Sequence, residues 1–205
     1  MDRYLMTHSL LSSWMYFLKG NPYEDMTTER DPYAEFMATL LREPTETTEA
    51  MQRGIDFEDL VTDIIEGGEF YTEHENWLDA AHAVAKKIKG HRLQHRATKR
   101  AVVSGIPLLL YGRLDALGAG IITDTKFSTG YERGKYLEST QHPMYMELVP
   151  DAVAFRYLIT NGTEVWSEWY RRDETPSIYP IIADFLEWLE VHNLMAVYKE
   201  KWLAR

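Results

Sequence analysis

Three acidic side chains stand at positions where a protein without a reaction to perform seldom puts them. Glu58 lies at the edge of the apolar face of an amphipathic helix pattern, and Asp115 lies within a strand pattern. Asp124 belongs to a second strand pattern and precedes Lys126 by two residues. Carboxylate oxygens are the ligands that Mg²⁺ and Mn²⁺ prefer. Three carboxylates and a lysine therefore suit metal-assisted hydrolysis of a phosphodiester.

Each of these positions also has an explanation without catalysis. Glu58 can reach solvent or pair with an arginine, which for that residue alone is the more common arrangement. Asp115 can cap a turn at the end of its strand. Asp124 and Lys126 share one strand face and can form an ion pair on an exposed edge. The isoleucines and phenylalanine around that pair favour a central strand, where charged side chains are uncommon. In that position a catalytic Lys126 would act on the attacking water molecule or on the negative charge that develops on the phosphate.

The apolar pattern predicts the elements that must position these side chains. Helical spacing predicts four helices, over residues 2–19, about 34–41, about 48–65 and about 76–88. Three strands follow, over 93–103, 107–116 and 120–127, and then a helix within 135–148. A hairpin over 152–160 and 163–171, with a type I′ turn at Asn161-Gly162, precedes one or two helices over 177–203. This order predicts an α+β (mixed α/β) fold, with a central sheet flanked by helices.

Four short motifs resemble, in this order, those of the PD-(D/E)XK nuclease superfamily, and most of all its RecB-like and phage-type exonuclease group. They are Gly54 with Glu58, Gly112-Arg-Leu-Asp115, Asp124-Thr-Lys126 and Gln141-His-Pro-Met-Tyr145. The resemblance spans about residues 5–171. It implies a restriction-endonuclease-like core, with a three-strand meander plus hairpin in a mixed sheet. It also implies a single nuclease-like domain over 1–205, with helical additions at both ends.

The resemblance assigns roles to particular residues. It implies that Glu58, Asp115 and Asp124 bind Mg²⁺ or Mn²⁺ and that Lys126 is catalytic. Gln141 and Tyr145 match the glutamine and tyrosine of a helix that contacts DNA or braces the catalytic residues. Several features depart from the group. Many RecB-like members carry histidine in place of Glu58, and the last metal carboxylate is often glutamate where this chain has Asp124. A proline at or near the start of the Gln141 helix leaves its geometry open.

Positive charge is concentrated in one part of an acidic chain. The chain has 32 acidic and 22 basic side chains, a net charge of −10, which argues against bulk electrostatic coating of nucleic acid. Residues 86–100 nevertheless carry seven basic side chains and no acidic one. Arg92 and Arg96 in this stretch, together with Arg113 and Lys135, are candidate DNA contacts. The alternatives are an edge strand protected by charge for residues 86–100 and a solvated loop for Lys135.

Composition excludes several other classes of site. Cysteine is absent, which excludes disulfides, a thiolate nucleophile, a cysteine zinc site and an iron–sulfur cluster. The sequence has no signal-peptide pattern and no apolar run of membrane-spanning length, so we expect a cytoplasmic protein without a membrane partner. It also lacks a phosphate-binding G-x-x-x-x-G-K-[ST] loop, so any helicase motor must belong to another chain. The histidines outside the motifs, His8 among them, are expected to be structural or exposed.

These observations together predict a divalent-metal-dependent deoxyribonuclease. We expect an exonuclease or DNA-end processor that acts in recombination, repair or phage DNA metabolism, on single-stranded DNA or a free end. A helicase, a recombinase or a single-strand-binding protein is the expected partner. Two alternatives stay open: a structure- or site-specific endonuclease with the same site, and a nucleic-acid-binding or assembly subunit whose site has decayed. The intact Asp124 and Lys126 pair argues against decay.

Overall fold

A six-stranded mixed sheet forms the centre of the protein. The computed structural model describes residues 2–19, 31–67 and 72–204. The strands are β1 (Tyr4–Thr7), β2 (Arg92–Val103), β3 (Ile106–Gly118), β4 (Ile121–Phe127), β5 (Ala154–Thr160) and β6 (Val165–Arg171). The described helices are α1 (His8–Lys19), α2 (Pro32–Leu41), α3 (Glu49–Glu66), α4 (Leu78–Ile88), α5 (Gln141–Leu148), α6 (Tyr179–Val191) and α7 (Met195–Lys201). The predicted mixed α/β class is confirmed.

Two hydrophobic cores hold helices against the sheet. The larger one joins β1, β3 and β5 with α1, α2, α5 and α6. The smaller one gathers Phe57, Leu60 and Val61 of α3 with the alanine-rich face of α4. The polar N-cap of Thr48, whose side chain accepts a hydrogen bond from the Met51 amide, begins α3 where the sequence predicts it. In the described ranges, no helix is long and apolar enough to cross a membrane.

The first predicted helix is wrong over its opening residues. Residues 4–7 form β1, which runs parallel to β3 and pairs Tyr4 with Leu108 and Thr7 with Tyr111. On the other side of β1, the Leu5 amide donates a hydrogen bond of 2.7 Å to the carbonyl of Trp202. A short strand with partners on both sides does not alternate between apolar and polar residues as a half-exposed strand does. The apolar residues of β1 therefore continue the helical pattern of the residues that follow, and the sequence predicts a helix from residue 2.

The predicted hairpin is present, but its type I′ turn is wrong. A four-residue loop over 161–164 joins β5 to β6, and positive φ occurs at Gly162 but not at Asn161. A type I′ turn requires positive φ at both central residues. The Asn161 side chain instead accepts hydrogen bonds from the amides of Thr163 and Glu164, at 3.0 and 2.8 Å. Asn161 therefore organises the loop through its side chain.

One edge of β3 is open at its middle. β2 pairs with β3 along almost its whole length and occupies one edge. On the opposite edge, β1 pairs with Leu108–Tyr111 and β4 pairs with Ala116–Gly118. Residues 112–115 lie between these two partners: 112–114 pair with β2 alone, and Asp115 has no register partner among the described strands. This opening, called the fork below, contains two of the residues that the sequence singled out.

Candidate active site

Side chains take the place of a neighbouring strand in the fork. The Asp115 carboxylate accepts a hydrogen bond of 2.9 Å from the backbone N–H of Thr125 in β4. The Tyr145 hydroxyl donates a hydrogen bond of 2.9 Å to the carbonyl of Arg113 in β3. Buried backbone groups need such partners. Because β3 and β4 separate at this point, the Asp115 side chain fits between them and is held by its hydrogen bond from Thr125.

Asp124 and Lys126 form the most buried ion pair of the site. The Asp124 side chain is almost fully buried, and the Lys126 ammonium lies 2.7 Å from its Oδ2 atom. The other oxygen, Oδ1, accepts a hydrogen bond of 2.5 Å from the Gln141 amide. Oδ2 itself accepts no hydrogen bond of normal geometry from the described residues. Burial alone lowers the pKa of Lys126, but the adjacent Asp124 outweighs it and raises that pKa, so the ammonium stays charged.

Glu58 reaches the same place from α3. Glu58 is half-buried and lines one cavity together with Thr125 and Lys126 of β4. Burial raises the pKa of Glu58, Asp124 raises it further, and Lys126 and Arg113 lower it. Burial, Asp124 and Glu58 together raise the pKa of Asp115 well above its ordinary value. The structure therefore brings the three predicted carboxylates and Lys126 together.

The donor set fits a hard divalent cation, although the carboxylates do not form a closed cage. Within residues 2–19, 31–67 and 72–204, no group of three His, Cys, Asp or Glu side chains is close enough to hold a metal ion. Mg²⁺ does not require such a cage, because it usually keeps several water molecules and takes one or two protein carboxylates. The buried Oδ2 of Asp124 has the Lys126 ammonium 2.7 Å away and accepts no hydrogen bond of normal geometry from the described residues. The mutual effect of the carboxylates on their pKa values is the repulsion that a cation would relieve.

The structure places Gln141 and Tyr145 against the predicted catalytic residues, and the DNA contact assigned to them stays a prediction. Their side chains are 5% and 3% exposed, and both make their hydrogen bonds to the site itself, to Asp124 and to the Arg113 carbonyl. Of the two roles that the resemblance allows, bracing is the one that this burial supports. Pro143 is the third residue of α5, where a backbone N–H has no partner within the helix. The proline therefore leaves the helix intact.

The predicted basic contacts separate into two groups. Arg96 lies directly opposite Arg113 in the β2–β3 register, and Arg92 occupies another exposed position of β2. β2 pairs only with β3 among the described strands, so it is an edge strand, as the alternative interpretation holds, and the DNA contacts of Arg92 and Arg96 stay predictions. Lys135 behaves otherwise, because its ammonium donates hydrogen bonds of 2.8 and 2.9 Å to Ser128 Oγ and the Gly130 carbonyl. Lys135 is exposed and closes the loop after β4, and its contact with DNA stays a prediction.

Sequence reasoning missed His8, which lies beside the site at the junction of β1 and α1. Its ring meets the Tyr145 ring edge-on at 5.3 Å, and its Nδ1 has no hydrogen-bond partner among the described residues. Burial, together with the Lys126 charge, lowers the pKa of His8 to about 4. The Thr140 hydroxyl donates to the His8 carbonyl at 2.9 Å and ties this junction to the start of α5. Recognition of β1 as a strand would have pointed to His8.

Comparison with known proteins shows a similar fold and no named activity. No protein-family profile matches this chain, and no curated protein matches it. Among solved structures, the crystal structure of SSO0001 superposes with a TM-score of 0.54 at 11% sequence identity. The alignment covers 94% of this chain and 78% of SSO0001. At this identity, the likeness shows the fold alone.

Proposed function

We propose that this protein is a divalent-metal-dependent nuclease that hydrolyses phosphodiester bonds in DNA. The observation that carries the proposal is the meeting of Glu58, Asp115 and Asp124 with Lys126 at the fork. Three neighbouring carboxylates, of which Asp124 is buried and Glu58 and Asp115 are half-buried, repel one another, and a bound cation would relieve that repulsion. Phosphodiester hydrolysis makes use of both the cation and the adjacent lysine.

Each residue has a part that its contacts define. Glu58, Asp115 and Asp124 would hold Mg²⁺ or Mn²⁺, which when bound supplies an activated water molecule and neutralises phosphate charge. The Thr125 N–H orients Asp115, and the Gln141 amide orients Asp124. The ammonium of Lys126, a third exposed, provides positive charge for the oxygens of the reacting phosphate.

The exposed arginines on the same side of the fork suit the rest of a DNA strand. Arg113 projects from β3 close enough to Glu58 to lower the pKa of that carboxyl, and Arg96 lies opposite it on β2. Arginine side chains bind phosphate through several donors at once. We extend the proposal to exonuclease or end-processing activity in recombination, repair or phage DNA metabolism. The intact ion pair argues against a decayed site.

A cleavage assay with a matched charge control tests the proposal. Purified protein is incubated with end-labelled linear DNA, single- and double-stranded, in Mg²⁺, Mn²⁺ or EDTA. We expect cleavage by the wild type and by Asp63→Ala, which removes an exposed carboxylate of α3 outside the site. Asp124→Ala should lower the rate at least about a hundredfold. Cleavage that persists in EDTA, or full activity of Asp124→Ala, would overturn the assignment.

A further inference from the structure

The strand register places two aromatic residues on the same sheet face as the catalytic pair. Lys126 of β4 pairs with Ile159 of β5, and Ile159 pairs with Trp166 of β6. Residues in register across neighbouring strands project to one face, so Trp166 shares the face of Lys126. Two strand spacings of about 4.8 Å separate their backbones by roughly 10 Å. Trp169, three residues further along β6, projects to the opposite face, where it packs on Arg156.

A buried carboxylate fixes the second aromatic residue beside Trp166. Glu168 accepts hydrogen bonds from the Tyr131 hydroxyl at 2.8 Å and from the Gly134 amide at 3.2 Å. The Tyr131 ring then lies 5.4 Å from the Trp166 ring at a tilt of 35°. Both residues are partly exposed. The loop after β4 is thus anchored to β6 so that two rings are held side by side at the surface.

An open cavity adjoins these rings and contains one cationic side chain. Its volume is about 430 Å³, and it is lined by Tyr131, Arg133, Trp166, Ser167, Glu168 and Trp169. The Arg133 side chain is exposed there, whereas the carboxylate of Glu168 is occupied by the hydrogen bonds that it accepts from Tyr131 and Gly134. Nearer the catalytic pair, the partly exposed Tyr136 ring stacks at 4.4 Å on Tyr157, a fully buried residue in register with Asp124. Tyr136 therefore lies beside the catalytic pair, and Tyr131 and Trp166 lie at the β6 edge.

We propose that Trp166 and Tyr131 form a stacking site for a nucleobase of a single strand, with Arg133 contacting a neighbouring phosphate. The proposal rests on the proposed function, because it assumes that the strand runs from the scissile phosphate at Lys126. The separation of roughly 10 Å corresponds to at most about three stacked nucleotides. Stacking accepts any base, so this site grips the strand without reading its sequence. A base within a duplex is not free to occupy it.

The experiment separates stacking from packing through the base dependence of binding. The whole protein is titrated by fluorescence anisotropy, in EDTA and low salt, with a labelled twelve-nucleotide thymidine strand and with a wholly abasic strand of equal length. The ratio of the two affinities measures the contribution of the bases, as in a double-mutant cycle. Trp166→Leu should reduce this ratio about tenfold, and Trp166→Phe should keep most of it.

Trp188→Leu is the control, because it makes the same substitution at a partly exposed tryptophan of α6 that packs on Trp14 and Phe36 and does not line the cavity. It should leave the ratio unchanged, and thermal unfolding of each variant confirms that it is folded. An unchanged ratio in Trp166→Leu, an equal loss in Trp188→Leu, or equal binding of both strands by the wild type would each overturn the stacking site. Cleavage is scored separately. If Trp166→Leu lowers the ratio but the wild type shows no metal-dependent cleavage, the proposed nuclease function is refuted and the stacking site is not. If the wild type cleaves DNA but Trp166→Leu leaves the ratio unchanged, the stacking site is refuted and the nuclease function is not.

Discussion

Replacement of Gly112 by alanine should destabilise the packing that supports the site. A Cβ atom at Gly112 would lie 2.6 Å from Tyr145 Cε1 and 2.8 Å from Leu148 Cδ1, both on α5. The Tyr145 ring cannot turn away without losing its hydrogen bond to the Arg113 carbonyl. Overpacking of this kind typically costs about 1–3 kcal/mol, against a gain of at most about 1 kcal/mol from a less flexible unfolded chain. For a protein of this size, each kcal/mol lowers the melting temperature by about 2–4 °C.

The measurement is thermal unfolding followed by circular dichroism, with Gly54→Ala as the control. A Cβ at Gly54, within α3, meets no atom within 4 Å, so that variant should gain about 0.5–1 kcal/mol. Gly112→Ala should melt several degrees below the wild type and cleave DNA more slowly, because α5 carries Gln141. A Gly112→Ala protein as stable as the wild type would refute the described packing of α5 on β3.

Three further predictions concern charge, pH and substrate ends. Lys126→Ala should lose at least about a hundredfold in cleavage but keep metal binding by calorimetry, since the lysine serves the phosphate; loss of metal affinity would contradict that role. Burial lowers the pKa of His142 to about 4, so below about 6.5 the unfolded chain takes up a proton that the folded protein excludes. The free energy of unfolding should therefore fall by about 2 kcal/mol from pH 7 to pH 5 because of this residue. Denaturant titrations of His142→Phe should show a fall that is smaller by this amount. A fall as large in the variant as in the wild type would exclude His142 as its source. Linear single strands should be degraded while covalently closed circles survive, and equal cleavage of both in gels would favour the endonuclease alternative.

The sequence predicts the parts of this fold whose signals are local. The meander of β2, β3 and β4 and the amphipathic α3 agree with prediction to within a few residues, because turn residues and apolar periodicity bound them. β1 is different, since its four residues become a strand only through partners elsewhere in the chain, β3 and Trp202. The Asn161 loop also depends on a side-chain choice that the Asn-Gly pair alone does not decide.

In the candidate site, too, the sequence predicts some features and not others. Residue type and strand position alone single out Asp115, Asp124 and Lys126. The partners that hold them cannot be deduced from the residue pattern, because the Thr125 amide is free for Asp115 only where β4 leaves β3. The burial of Tyr145, which supports bracing of the site, likewise depends on the whole sheet that packs against α5.

The enclosure of β1 has a consequence for how the protein is made. One side of the fork is bounded by β1, and β1 in turn is held by residues near the other end of the described chain. The Tyr198 hydroxyl donates to the Leu5 carbonyl across 193 residues, and the Ala204 amide donates to the Arg3 carbonyl. Contacts so distant in sequence form late and slowly. During synthesis, a nascent chain that already contains Asp115, Asp124 and Lys126 therefore lacks the contacts that hold β1 until residues 198–204 have left the ribosome. Assembly of the candidate site is expected to wait until translation has passed them.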